Sequence, residues 1–149
     1  MTNDTPLGWT GIVRLGLVQT ALGAIVVLTT STLNRVMVVE LALPAMLPGF
    51  LVALHYAVQM TRPRWGFGSD LGQRRTPWII GGMATLAAGG LSAAIATALM
   101  EVHLVAGVAL AIVAFTLIGL GVGAAGTSLL VLLAKRVAPE FFNDAATTE

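Results

Sequence analysis

Nineteen uncharged residues run from Leu15 to Leu33, about the number an α-helix needs to cross roughly 30 Å of hydrocarbon. The first polar break comes at Asn34 and Arg35 and, after another apolar patch, at Glu40, which predicts a short external turn carrying one charge of each sign. A second apolar run extends from about Pro44 to Met60. Pro44 and Pro48 open it, where a missing N–H costs little because it would be unpaired anyway. A third run follows Pro77 and stays uncharged to Met100, with Glu101 and His103 forming a very short outer turn. The fourth, Val102 to Ala134, would reach roughly 50 Å as a straight helix. It must tilt, bend or emerge from the bilayer, and Gly119, Gly121, Gly123 and Gly126 supply a bend or a close-packing face. The pattern predicts an all-α integral membrane protein with four transmembrane helices at about 15–33, 44–60, 77–100 and 104–134. A hairpin at 61–76 joins the second and third, and polar segments 1–12 and 137–149 flank the whole.

Charge orients these spans. Arg62, Arg64, Arg74 and Arg75 crowd into the hairpin and Lys135 with Arg136 close the fourth run, so both groups belong on the cytoplasmic side, with Arg14 consistent. Both termini are therefore expected in the cytoplasm. Composition supports the class, since 56% of residues are hydrophobic and only 10% charged, which no ordinary soluble domain shows. A net charge of +1 and the confinement of the arginines to a membrane hairpin exclude a nucleic-acid partner. With no cysteine there is neither a disulfide framework nor a thiolate metal site. The first dozen residues lack the basic start and small-residue cleavage site of a secretory signal, so the first apolar run is expected to be retained.

Few residues carry candidate chemistry. His55 lies in the middle of the second run with Tyr56 and Gln59 beside it, and a histidine at membrane depth needs a partner. One reading is a ring nitrogen offered to a magnesium tetrapyrrole while the other N–H bonds a carbonyl. The other is a hydrogen bond across to a Ser or Thr on a neighbouring helix. His103, at a membrane edge beside Glu101, reads as a solvated turn residue. Gln19 and the run Thr29 to Thr32 are expected to bond backbone carbonyls of the preceding turn. Catalysis is not expected, because the carboxylates sit in loops and tails and no Ser, His and acid set shares a site. The segment IGLGVGAAGTS lies inside a membrane run without a βαβ context, so it is no nucleotide fingerprint.

Small residues fill the third and fourth runs: Gly81, Gly82, Gly89, Gly90 and the pair Gly119 and Gly123 at i, i+4. In lipid such residues matter by letting backbones approach closely. They predict packing either on the chain's own neighbouring helices or on a helix of another protein.

The hairpin pattern of Gly66, Gly68, Asp70, Arg74 and Arg75 resembles the loop between the second and third helices of major facilitator transporters. Leu71 departs from it where a basic residue is usual, and Gln73 where glycine is. The segment from Thr32 through Asn34, Arg35, Val36 and Met37 to Glu40, with Gly66 to Asp70 and Arg74 to Pro77, is similar to the first part of the PucC/LhaA group, the bacteriochlorophyll-delivery branch of that superfamily. The stretch Gly126 to Leu130 and Ala134 to Val137 extends the likeness, which covers about residues 12 to 138.

The resemblance implies a fold like the first four helices of a major facilitator and a phototrophic bacterium's inner, intracytoplasmic photosynthetic membrane. It also implies light-harvesting antenna or reaction-centre subunits as partners, with membrane lipids around them and bacteriochlorophyll or carotenoid as candidate cofactors. Carried onto this chain, Asp70 would meet a helix amino end or an arginine, and Arg74 and Arg75 would bind acidic groups or lipid phosphate. Members of the superfamily have twelve spans in two halves, with the path between the halves, whereas four spans and a polar tail are legible here. The expectation is a non-catalytic membrane subunit or assembly factor, and the alternative a truncated or oligomeric transporter.

Overall fold

The computed structural model describes residues 8–62 and 76–136. Gly66, Gly68, Asp70, Arg74 and Arg75 of the hairpin, and the tail 137–149, lie outside the described residues. Among the described residues four α-helices follow one another: α1 (Trp9–Arg35), α2 (Met46–Gln59), α3 (Thr76–Val102) and α4 (Leu104–Arg136). Among the described residues there is no strand.

The end of α1 departs from expectation. Asn34 and Arg35 form no turn, because the helix continues without a break into a π-helical turn, Val36–Glu40. Nothing between Asn34 and Glu40 can stop a helix, since neither glycine nor proline occurs there. The first obligatory stop is Pro44, whose ring disfavours the α conformation at Leu43. Widening to the π form closes the end with an N–H of Leu41 donated to the Val36 carbonyl at 3.0 Å and one of Leu43 to the Met37 carbonyl at 2.9 Å. Reversal is completed by Ala42 at φ 50°. A side chain in this left-handed region costs about 1–2 kcal/mol that glycine avoids. Ala42 is exposed and held by no packing, so Ala42→Gly is expected to stabilise the protein by about 1 kcal/mol, read as a higher midpoint in detergent melting. An unchanged or lower midpoint would show that the strain is not there.

The second span is also shorter than the sequence suggests. α2 has 14 residues, about 21 Å of helix, against roughly 30 Å of hydrocarbon. Among the described residues three helices are long and apolar enough to cross a membrane, and α2 is a shorter apolar one beside them. Its loss of length follows from the wide end of α1 and from Pro48, which fits only in the first turn where its absent N–H is not needed.

α3 and α4 reverse direction across a single non-helical residue, His103. Its N–H bonds the Leu99 carbonyl at 2.7 Å and its carbonyl accepts from Gly107 N–H at 2.9 Å, so each helix uses the turn residue to complete its own ladder. His103 is exposed, as a turn residue should be. Below the turn one buried seam of α3 runs through Gly82, Leu86, Gly89, Ala93, Ala96 and Met100, stepping by four and three, with Thr97 buried beside it. α4 answers with Gly107, Ala111, Ala114, Ile118, Gly121, Ala125 and Ser128 at the same steps. Two facing heptad seams of small residues bring the backbones together. A Cβ on Gly121 would lie 2.6 Å from the Leu86 nitrogen, one on Gly82 2.5 Å from the Ala125 nitrogen, and one on Gly107 2.7 Å from the Met100 nitrogen.

α4 also carries a second seam, Phe115, Gly119, Val122, Gly126 and Leu129, on an adjoining face. α2 packs there at Gly119 and α1 reaches it where Leu22 meets Gly126. α4 is thus the central helix, with 44% of its apolar window buried against 28% for α3 and 6% for α1. The fourth run does not break at its glycines: α4 is one continuous helix of 33 residues, and the glycines serve contact. Gly119 lies against α2, and Gly123 is buried.

Candidate functional site

Among the described residues, five buried polar side-chain atoms have no hydrogen-bond partner: Gln19 Oε1, Asn34 Oδ1, His55 Nδ1, Arg62 Nε and Ser128 Oγ. Two of the five belong to one stripe of α2 and its end, His55, Gln59 and Arg62. That stripe follows from spacing, since residues four and three apart share one face of a helix. Gln59 lies partly buried between a fully buried histidine and a half-buried arginine.

The chemistry of the three side chains fixes their roles. Arg62 has only donors, and it donates to Gln59 Oε1. The Gln59 amide nitrogen, at 2.6 Å from His55 Nε2, is therefore the donor of the next bond. His55 Nε2 accepts, which puts the proton of the neutral ring on Nδ1. Nδ1–H is the buried atom left without a partner. Tyr56 packs edge-on to the imidazole, with ring centroids 4.9 Å apart and planes at 63°, while 58% of its own surface stays exposed.

The backbone at His55 is held as firmly as the ring. A Cβ on Gly119 would stand 2.8 Å from the His55 carbonyl oxygen and 2.9 Å from Val58 Cβ. Gly119 therefore lets α2 rest directly on α4 at the level of the histidine.

This arrangement does not fit the magnesium-ligand reading. A chlorin needs a ring nitrogen with a free lone pair and open space beside it, but Nε2 is occupied by Gln59, Nδ1 carries the proton, and His55 is fully buried. Nor does His55 bond a Ser or Thr across the bundle, because its partner is Gln59 on its own helix. The signal for this in the sequence was the i, i+4, i+7 spacing of His55, Gln59 and Arg62, which joins the span to the first hairpin arginine.

The remaining expected residues do not join the site. Asn34 lies where α1 widens, with its amide oxygen buried and unpartnered, while Arg35 and Glu40 are exposed. Thr29 and Thr30 do bond carbonyls of the preceding turn, at 2.7 Å to Ile25 and 2.8 Å to Val26. Gln19 Oε1 is buried without a hydrogen-bond partner. No group of three His, Cys, Asp or Glu that could hold a metal occurs among the described residues.

A family model described as "PUCC protein" matches residues 32–147. The chain is 57% identical over 141 residues to "Bacteriochlorophyll synthase 44.5 kDa chain" of Rhodobacter capsulatus, covering 95% of this chain and 33% of that protein. It is 44% identical over 80 residues to "Protein PucC" of Cereibacter sphaeroides, covering 50% of this chain and 17% of the relative. To "Protein PucC" of Rhodobacter capsulatus it is 36% identical over 141 residues, covering 87% of this chain and 31% of the relative. The chain thus spans a third or less of the length of these curated relatives. No solved structure matches it.

Proposed function

The chain belongs to the PUCC protein family, and on that premise we propose that it is a non-catalytic membrane component that assists assembly of light-harvesting or reaction-centre complexes in phototrophic bacteria. Its place is the intracytoplasmic photosynthetic membrane, with both termini in the cytoplasm, and its partners are antenna or reaction-centre helices.

One observation carries the docking part of this reading. α3 and α4 spend their small residues on each other, whereas α1 buries only 6% of its apolar window. Val13, Leu17, Val27 and Leu28 all remain exposed along α1, a length of apolar helix available to partner helices or lipid. The surface is aimed sideways in the bilayer, where single-span antenna helices would meet it.

The chemistry supports a role without catalysis. The acids among the described residues are Glu40 and Glu101, both exposed and at helix ends. Neither lies beside His55. The word "synthase" in one relative's name belongs to that much longer protein. Bacteriochlorophyll or carotenoid, if carried, would be held at a lipid-facing surface and not by His55.

The test is a near-infrared absorption spectrum and subunit inventory of the complex isolated with this chain in mild detergent. Bacteriochlorophyll absorbance together with antenna or reaction-centre polypeptides in the same band is expected. A colourless band holding this chain alone would end the assembly reading.

A further inference from the structure

Arg62, Gln59 and His55 hand one hydrogen bond to the next along α2, and the order of donors and acceptors leaves room for a single cation. We propose that this stripe is a proton-operated latch: neutral His55 keeps Arg62 docked on Gln59, and protonation of His55 releases it. The latch is a property separate from the assembly reading above and stands on the geometry of these three side chains.

The amide of Gln59 sets the logic, because its tip carries one acceptor oxygen and one donor nitrogen. With a neutral ring, Oε1 accepts from Arg62 and the amide nitrogen donates to His55 Nε2 at 2.6 Å. An imidazolium is a donor at both nitrogens, so a proton on Nε2 sets N–H against N–H. Turning the amide over offers its oxygen to the ring but sets its NH2 against the guanidinium, which accepts nothing. Sharing the oxygen would bring two cations together in apolar surroundings, where like charges disfavour one another. Either His55 or Arg62 holds the amide oxygen.

The surroundings decide which of the two leaves. His55 is fully buried. α4, which meets α2 at Gly119, has no titratable residue from Leu104 to Ala134, α1 has none from Leu15 to Leu33, and α3 has none from Pro77 to Met100. On α2 and its end the other titratable or charged groups are Tyr56, edge-on to the ring, and Arg62. No acid therefore faces the ring from these elements. Arg62 is half-buried at the end of α2, and its flexible stem lets the charged head swing outward. The imidazolium then gains the Gln59 oxygen in a charge-assisted bond and loses its like-charged neighbour. Arg62 is docked at high pH and free at low pH.

Arg62 is the first arginine of the hairpin. The latch thus governs whether that cation is spent on α2 or offered to an anionic group elsewhere.

The experiment uses the full chain in lipid nanodiscs. Ring-15N histidine spectra read both histidines, with exposed His103 as the internal reference. The chain has no cysteine of its own, so a nitroxide on Met60→Cys, at an exposed position beside Arg62, reports the state of the α2 end. Between about pH 8 and about pH 5, which brackets the ordinary histidine range, the His55 ring should pass from neutral to protonated. Over the same range the ratio of mobile to immobile label should rise about tenfold or more, as loss of a hydrogen bond to a charged group implies. Gln59→Leu should be mobile throughout. His55→Gln keeps an acceptor for Gln59 and cannot titrate, so it should stay immobile throughout. A His55 ring still neutral at the lower pH would overturn the latch. So would label mobility that stays constant while the ring protonates, or that rises equally in His55→Gln.

Discussion

Gly121→Ala is expected to destabilise the protein by about 3 kcal/mol or more, the upper end of what overpacking costs. The added methyl would stand 2.6 Å from the Leu86 nitrogen, 2.7 Å from the Gly82 carbonyl oxygen and 2.8 Å from the Leu86 Cα. All three are backbone atoms, so no side chain can turn aside and the helices themselves must separate. Separation would be felt along both seams, because Gly82, Gly89 and Gly107 depend on the same close approach. Helix propensity alone predicts the reverse sign, since alanine is favoured over glycine by about 1 kcal/mol in a helix interior. Gly81→Ala supplies that reference, for its methyl meets nothing within 4 Å. Unfolding of both variants in detergent by stepwise addition of denaturing detergent should place Gly121→Ala far below the natural chain and Gly81→Ala at or slightly above it. Equal behaviour of the two would mean that α3 and α4 do not approach each other closely at Gly121.

That contrast shows what the sequence discloses and what it withholds. Abundance of glycine and alanine in the last two runs already announced close helix packing, because in lipid little else draws helices together. Which glycine does the packing was not legible, since Gly81 and Gly82 are chemically identical and differ only in helix phase. The phase becomes readable once Gly82, Leu86, Gly89, Ala93, Ala96 and Met100 are seen to step by four and three. The pair Gly119 and Gly123 drew notice as an i, i+4 motif, yet the positions that touch α3 are Gly121 and Gly107, and Gly119 serves α2 instead. The stop that ends the first helical run is legible at Pro44, whereas polarity is no stop. Asn34 and Arg35 are compatible with a helix, and Arg35 with Glu40 reaches solvent from within one. Asp70 and its neighbours lie outside the described residues, and the role carried to Asp70 by resemblance is a proposal: Asp70→Asn is expected to weaken either packing of the cytoplasmic ends of the second and third spans or their docking on a partner, read as lower detergent stability or reduced partner association.

His55→Leu is expected to cost about 1–3 kcal/mol, because it leaves the partly buried Gln59 amide without its acceptor. Gln59→Leu should cost a similar amount by stranding His55 Nε2 next to an already unpartnered Nδ1. The double variant is the informative one. With both polar groups gone, neither strands the other, and Arg62 at the end of α2 can extend its flexible stem toward the interface. Its destabilisation should fall below the sum of the singles by roughly 0.5–3 kcal/mol, the coupling found for residues sharing one hydrogen bond. Additive losses would mean that His55 and Gln59 do not share this hydrogen bond. The same variants separate structure from pigment. If Gln59 occupies Nε2 and the proton sits on Nδ1, His55 has no lone pair for magnesium, and His55→Leu should leave the near-infrared spectrum of an isolated complex unchanged while lowering its melting midpoint. Loss of bacteriochlorophyll absorbance at an unaltered midpoint would reverse the assignment, since a ring that releases Gln59 to bind magnesium contributes to pigment binding and little to the fold.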